Sequence, residues 1–443
     1  MKRRRGHCAR LALTASQVAL LDEQAHAARA LWNLLHELYL QCGRRRPPLE
    51  YLDAEIRWAR KNVDWLAVLP AQAAQAVLKT YHRAWVNCWE GRAATPTFKS
   101  RIRTIPAVDI PQGGHLRVAR VHRRWGVVNI PKVGRVRFRW TKGLPGVTKG
   151  GPPGRITGAR LVKDALGWRI SFRVETLVAP SEPRPWAHSH VGIDAGITVP
   201  LALSDGSTYD HGPWLTEEEA ARLLRAEQKA AHRKRFGKRD GHASKRLHAV
   251  YDQIGDLRAR AKRRALDWQH KTTTKIAEGF VLVSVEGLRI TNMTKSAKGT
   301  AELPGANVAQ KAGLNRKIVG EAWGRTVAFL AYKVADRGGF LVKVPAAGTS
   351  LRCSVCGRTT PGSRESQAVF VCKNPDCGWS GNADYNAGRN VDWAGLELAS
   401  AAGRAVVRQT QALSNSPEQS RGESPAHGRE LQIIITGVQQ PDA

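Results

Sequence analysis

The spacing of apolar positions changes character several times along the chain. Residues 7–13, HCARLAL, read as a short strand, and Thr14 or Ser16 offers a helix cap just after it. Over 20–39, Leu21, Ala25, Ala28, Leu31, Leu34, Leu35 and Leu38 recur at helical spacing, which predicts an amphipathic helix. Pro47 and Pro48 end it. Helices are also predicted over 51–63 and 70–90, and in the latter Trp85 and Trp89 share a face. That spacing favours core packing over base stacking. Residues 91–103 form a basic turn. From 105 to 175 the period falls to two, with strands predicted over 126–130, 134–140, 154–163 and 168–175 between Gly and Pro turns. In RVRFRW, Arg135, Arg137 and Arg139 take one face, and Val136, Phe138 and Trp140 the other. With the first strand, these suggest a small β-barrel whose arginine row contacts nucleic acid.

A Pro-rich linker covers 178–186, and the pattern then changes to buried strands and long helices. Residues 191–203 predict two strands, followed by the turn Ser204-Asp205-Gly206-Ser207, so Asp205 reads as a turn residue. Long helices are expected within 215–278. Their exposed faces are basic and include Lys234, Arg235, Lys245, Arg246, Arg258, Arg260, Arg263 and Arg264, a phosphate-binding composition. A central strand is expected over 280–285, a lid-like loop over 293–315, a helix over 316–337 and a strand over 339–344. The stretch 414–429, SNSPEQSRGESPAHGR, has the composition of disorder. The apolar patch 433–435 beyond it fits no element. These patterns predict an α+β chain, and 443 residues suffice for two or three domains.

Charge narrows the partners. Seventy Lys and Arg against 37 Asp and Glu leave a formal charge of +33, spread along the chain. That points to nucleic acid before membrane. Composition alone also fits a ribosomal or other RNA-binding protein. No apolar run approaches the length of a membrane span, and the basic start MKRRRGHC leads into no apolar signal segment. Cys8, Cys42 and Cys88 are isolated, which fits reduced thiols in a cytosol.

The other four cysteines come in pairs within residues 351–390, LRCSVCGRTTPGSRESQAVFVCKNPDCGWSGNADYNAGRN. Two residues separate Cys353 from Cys356, and four separate Cys372 from Cys377. Two such pairs supply four thiolates, the arrangement of a structural zinc ribbon. Gly357 and Gly378 follow where each knuckle must turn sharply. Seven residues past Cys377 stands Asp384. Alone it reads as a helix cap. Two other carboxylates have matching contexts: Asp194 in HVGIDAGITVPLALSDGS and Glu286 at the end of FVLVSVEGLRI. An acid at the end of a buried strand must be paired, protonated or metal-bound. Three brought together would repel, and a pair of divalent cations would relieve the repulsion while activating water for phosphodiester hydrolysis.

Asp194 in GIDAG, Glu286 in VEGL and Asp384 in NADYNAGRN resemble the three acidic motifs of a split RuvC nuclease. The ribbon just before the third motif is similar to that of the TnpB family of transposon-encoded proteins and the compact type V CRISPR effectors related to it. The resemblance extends from about residue 6 to 392. It implies an RNA-guided DNA endonuclease with two Mg²⁺ held by Asp194, Glu286 and Asp384, and one Zn²⁺ held by Cys353, Cys356, Cys372 and Cys377. It further implies a wedge-like β-barrel (1–14 and 104–180), a helical recognition insert (15–103), an RNase H-like α/β RuvC domain (187–349 and 380–396), a zinc ribbon (350–379) and a disordered tail (397–443). Implied partners are a guide RNA and double- and single-stranded target DNA, in a bacterial cytoplasm. Candidate phosphate contacts are Arg135, Arg137, Arg139, Lys234, Arg235, Lys245, Arg246, Arg263 and Arg264. Alternatives are a type V effector with weak or no cleavage, a non-cutting nucleic-acid binder and a transposase in the strict sense.

Overall fold

The computed structural model describes residues 2–43, 47–101, 104–147, 153–177, 184–185, 189–236, 238–239, 242–300 and 302–414. The chain forms two compact units: Met1–Ala179 with Glu217–Arg260, and Pro180–Thr216 with the residues from Ala261 onward. Most of the expected linker at 178–186 lies outside the described residues.

The first unit begins with β1 (Lys2–Ala12), α1 (Ala15–Gln41), α2 (Leu49–Asn62), α3 (Asp64–Ala67) and α4 (Ala71–Trp89). Then come β2 (Ala107–Ile110), β3 (Ala119–His122), β4 (Trp125–Ile130), β5 (Gly134–Arg139), β6 (Gly154–Asp164) and β7 (Gly167–Leu177). All seven strands join one sheet in the order β2-β6-β7-β1-β5-β4-β3, with every neighbour antiparallel. β2 and β3, four residues each, are too short to stand out as alternation in the sequence.

Thr14 starts α1 through a capping box: its Oγ1 accepts from the Gln17 backbone N–H at 3.3 Å, and the Gln17 side chain accepts from the Thr14 N–H at 3.1 Å. Leu21, Ala25, Ala28, Leu31 and Leu35 are buried as the helical stripe requires, whereas Leu34 is 48% exposed at its margin. Trp85 is buried and Trp89 stacks on it at 5.9 Å with its outer face in solvent. Along β5 the alternation holds: Val136 and Phe138 are buried and the three arginines are exposed. The helices and the sheet share one core, in which Leu21, Tyr81, Phe138 and Phe172 take part. The 15–103 segment therefore does not fold apart from the strands.

The next segment carries β8 (His190–Asp194), β9 (Leu201–Leu203) and β10 (Thr208–Tyr209). α5 (Glu217–Phe236), the short pair β11 (Lys238–Arg239) and β12 (His242–Ala243), and the first part of α6 (Lys245–Gly279) return to the first unit. This differs from the expectation that 187–349 forms one domain. α5 and the start of α6 have their own small core of Ala226, Ala230, Leu247, Val250 and Ile254.

The second unit continues with β13 (Leu282–Glu286), α7 (Ile290–Met293), α8 (Val308–Glu321), α9 (Trp323–Ala335), β14 (Phe340–Val344), β15 (Val369–Val371), β16 (Ser380–Asn382) and α10 (Ala383–Ser414). Its main sheet has the order β10-β9-β8-β13-β14, with β8, β13 and β14 parallel and β9 and β10 antiparallel. The parallel strands are buried on both faces, which is why they read as unbroken apolar runs. Val191, Ile193, Val283, Val285 and Leu341 pack with Ile276 of α6 and Leu330 and Val334 of α9. Leu282, Val342 and Val344 pack on the opposite face with Val391 of α10. Helices thus cover both faces of the sheet.

Two sequence expectations change here. The helix expected over 316–337 is α8 and α9, divided at Ala322, which takes a left-handed φ of 51°. Gln269 Nε2 donates to the carbonyls of Glu321 and Ala322 at the break, at 3.1 and 3.4 Å. The expected lid is shorter than 293–315, because α8 already begins at Val308. Its ends are fastened: Lys311 Nζ donates to the Met293 carbonyl at 2.8 Å and Asn315 Nδ2 to that of Thr294 at 2.9 Å. At the C-terminus, α10 runs through residues 397–414, which were expected to be a disordered tail. Residues 415–443, including the patch 433–435, lie outside the described residues. No helix among the described residues is long and apolar enough to cross a membrane.

Candidate active site

Asp194 ends β8 and Glu286 ends β13. The two strands are parallel neighbours with Ile193 opposite Val285, so both acids stand at the same end of the sheet. Side chains alternate between faces, and Ile193 and Val285 belong to the α6 and α9 face. Asp194 and Glu286 therefore lean to the other face, where α10 lies. Asp384 sits in the first turn of α10.

The cap of α10 is not Asp384, as an acid at a helix start suggests, but Asn382. Its Oδ1 accepts from the backbone N–H groups of Asp384 and Tyr385 at 2.9 and 3.0 Å. That leaves the Asp384 carboxylate free to face the other acids. β16 leads directly into α10, so the hairpin of the cysteine module sets where the helix starts.

α10 can seat on the sheet because glycines remove the side chains in between. A Cβ added at Gly192 would lie 2.2 Å from the Gly388 carbonyl oxygen and 2.3 Å from the Asp392 nitrogen. At Gly395 it would lie 1.8 Å from Ser284 Oγ. Further along α10, Asp392 accepts from Ser204 Oγ at 3.1 Å and pairs with His190 Nδ1 at 3.0 Å. These contacts lock the helix to β8.

Asp194 feels the other two acids. Burial, then the charges of Glu286 and Asp384, push the Asp194 carboxyl up to about 7, against the pull of Arg364. Burial also raises Glu286, opposed by Thr349, whose Oγ1 donates to Oε1 at 2.6 Å. Burial raises Asp384 too, and Arg364 opposes it from 3.6 Å. Such a cluster holds a proton or a cation at neutral pH. Its all-oxygen donors suit hard divalent ions. The three carboxylates are not drawn into a single tight cage: among the described residues only the cysteines form a group of three or more ligand atoms all within 4.8 Å.

The four cysteines do converge. Cys353 and Cys377 sulfurs stand 3.8 Å apart, and those of Cys356 and Cys372 3.7 Å apart. This set can hold one metal ion. Gly357 and Gly378 turn the knuckles with φ of 71° and 56°, which a Cβ would strain. Phe370 and Trp379 pack beside the sulfurs. Asn386 and Asn390 of α10 tie the module down: Asn386 bonds Ser354 N and the Arg352 carbonyl, and Asn390 the carbonyls of Thr349 and Arg352.

Of the candidate phosphate contacts, Arg135, Arg137, Arg139, Lys234, Lys245, Arg246 and Arg264 are exposed and Arg263 is half-buried, while the Arg235 side chain lies outside those described. Arg137 and Arg139 lie over the Trp125 ring at 5.6 and 5.1 Å. Arg258 and Arg260 are engaged by Glu227 and Glu219, so the basic helical faces offer fewer free cations than the sequence suggests. Asp205 accepts from the Ser207 N–H, the turn role expected of it. Sequence reasoning missed Arg364, Thr349, Asn382 and Asp392. Asn382 had a local signal, an Asn just before a helix start; Arg364, Thr349 and Asp392 had none, and only the fold brings them to the acids or to β8.

Comparison with known proteins bears on the same segments. The family model described as "Probable transposase" matches residues 171–297, and the one described as "Cas12f1-like, TNB domain" matches 323–391. The chain is 33% identical over 342 residues, 77% of its length and 78% of the relative's, to an Escherichia coli K12 protein named "Putative RNA-guided DNA endonuclease InsQ". The chain belongs to the TnpB family of RNA-guided DNA endonucleases. A second relative in this family, from Streptomyces pristinaespiralis and named "Putative RNA-guided DNA endonuclease", is 28% identical over 354 residues, 79% of this chain and 78% of its own. A solved structure, the Cas12f1-sgRNA-target DNA complex, covers 86% of the chain and 83% of its own at a TM-score of 0.51 and 15% identity. That likeness shows a shared α+β fold. The two family-model matches together include all three acids and the four cysteines.

Proposed function

We propose that this chain cuts DNA selected by a guide RNA, using Asp194, Glu286 and Asp384 in a RuvC-type, RNase H-like site. The observation that carries the reading is the meeting of three acids from distant segments at one end of two parallel strands and the start of α10. The raised proton affinity of Asp194, caused by burial and then by the charges of Glu286 and Asp384, supports it. The three carboxylates would hold two Mg²⁺, which when bound supply charge neutralisation at the scissile phosphate and activation of water. Thr349 holds Glu286 in orientation by its hydrogen bond. Arg364 reaches the same edge from the cysteine module, where its guanidinium can pair with a phosphate oxygen.

The cysteine module is a structural zinc ribbon in this reading. Sulfurs bound about 2.3 Å from one zinc ion at tetrahedral angles stand about 3.8 Å apart, which agrees with the two measured separations. The seven-stranded sheet would serve as the wedge-like barrel and grip RNA through the arginine row of β5. The helices α1 to α4 would face the guide–target duplex, and the reduced cysteines fit a cytoplasmic setting.

The test is cleavage of a guided double-stranded target in Mg²⁺, beside a filter-binding assay on the same proteins. Asp194→Ala, Glu286→Ala and Asp384→Ala should each abolish cutting and keep RNA-dependent DNA binding. Normal cutting by any one of them removes that residue from the site. Joined rather than hydrolysed ends in wild-type reactions would favour a strict transposase.

A further inference from the structure

Two of the three acids are joined through side chains that lie outside the carboxylate cluster. Glu286 has one more rotatable bond than Asp194 or Asp384, so its carboxylate needs a fixed partner to keep one place at the end of β13. Thr349, 7% exposed and in the turn that follows β14, is that partner. Its Oγ1 lies 2.6 Å from Glu286 Oε1 and 3.1 Å from the Ala346 carbonyl oxygen. A hydroxyl has one proton to give, and the carboxylate is both the nearer and the stronger acceptor.

Thr349 is itself held from α10. Asn390 Nδ2 donates to the carbonyls of Thr349 at 2.9 Å and Arg352 at 2.7 Å, which uses both of its protons. At 6% exposure, Asn390 has little water with which to replace these bonds. It follows Asp384 on the same helix by less than two turns. The path from Asp384 to Glu286 therefore runs along a helix and through two buried side chains, Asn390 and Thr349.

We propose that Asn390 and Thr349 are positioning residues, a relay from α10 that fixes the Glu286 carboxylate against Asp384 for divalent-cation binding. The proposal rests on the nuclease reading above and adds to it a determinant of cation affinity. Neither residue is a ligand. Each acts by holding in place a ligand that the chain would otherwise have to order when the ion binds. Removing a hydrogen-bond partner that stands directly behind a metal ligand weakens metal binding about 10- to 100-fold. A merely structural role, in which Asn390 only fastens the cysteine module to α10, entails lost stability with unchanged cation affinity.

Thr349→Val removes the hydroxyl with little change of shape, and Thr349→Ser keeps it. Mn²⁺ bound by the full-length, zinc-loaded protein without RNA is titrated by electron paramagnetic resonance, with Glu286→Ala as the reference for ions held elsewhere. Thr349→Val should weaken the Glu286-dependent binding about tenfold, and Thr349→Ser should restore most of it. Asn390→Ala should weaken it too, and the double variant should bind no worse than the weaker single one, because both residues act through one hydrogen bond. In guided cutting, Thr349→Val should raise the Mg²⁺ needed for half-maximal rate about tenfold, with a rate at saturating Mg²⁺ near that of wild type. Thermal melting checks that each variant folds. Thr349→Ala replaces Thr349→Val if that protein does not fold, and the Thr349 variants decide if Asn390→Ala does not. Wild-type Mn²⁺ affinity in Thr349→Val, or additive losses at the two positions, would overturn the relay and leave the nuclease reading intact. Weakened Mn²⁺ binding in Thr349→Val, beside a wild type that leaves guided DNA uncut in Mg²⁺, would support the relay and remove the nuclease reading.

Discussion

Asp194 is held in the least comfortable ionisation state of the three acids. Its carboxyl is pushed up to about 7 by burial and by Glu286 and Asp384, whereas an unfolded aspartate titrates near 3.9. Without divalent cations the folded protein therefore binds this proton more firmly than the unfolded chain. The stabilisation is complete below about pH 4 and is lost as pH rises through about 7. Asp194→Asn should then raise the melting temperature at pH 8 without added divalent cation, with a smaller gain at pH 5, and remove cleavage. Equal melting of both proteins at pH 8 would show that the acid is not under this strain. Gly192 lies on the neighbouring pleat and does a different job. Gly192→Ala would force a Cβ against the α10 backbone and should cost about 1–3 kcal/mol in urea denaturation. Gly320→Ala, with open space around the added carbon, is the matched control and should be neutral or mildly stabilising.

α10 and the cysteine module act together. Asn382 caps the helix, Asn386 and Asn390 hold residues 349–354, and the β15–β16 hairpin enters the helix without a loop. Metal binding to four thiolates is coupled to local folding, worth roughly 10 kcal/mol or more in small zinc modules. Cys356→Ser should accordingly lower the zinc content measured by atomic emission, open residues 353–382 to protease, and reduce cleavage through Asp384 and Arg364. A wild-type protein that contains no zinc and cuts normally would refute the zinc assignment. The break at Ala322 is a further junction of this kind, since it lets Trp323 begin a new helix.

A charge of +33 exceeds what a short duplex contact needs and suits a protein that holds a folded RNA together with a heteroduplex. No stretch of the sequence has the spacing of a DNA-reading zinc finger. Protein stripped of RNA should leave double-stranded DNA uncut in Mg²⁺, and adding a matching guide should restore cutting. Equal cutting with and without guide would indicate a non-specific metal nuclease. RNA binding without cutting in either tube would favour the binding-only function. Binding should weaken steeply with salt, because each neutralised phosphate releases counterions.

Much of this was written in local pattern. Apolar periodicity determined α1, α4 and the strands β4 to β7, since each buries one face against a neighbour. The cysteine spacing and the glycines after each pair determined the metal cluster, because its ligands and tight turns are local. Asp194 and Glu286 stood out because charge at the end of an apolar strand demands a partner, and Asp384 stood out only beside them. Other features depended on contacts between distant segments. α5 and the start of α6 joined the first unit because their buried alanines and leucines pack with one another. The long helix broke at Ala322, where Gln269 from α6 donates to the exposed carbonyls. Arg364 and Thr349 took their roles because the fold carried them to the acids. Hydrogen bonds and ion pairs between residues far apart in the chain leave no periodic trace, so only the tertiary structure could assign them.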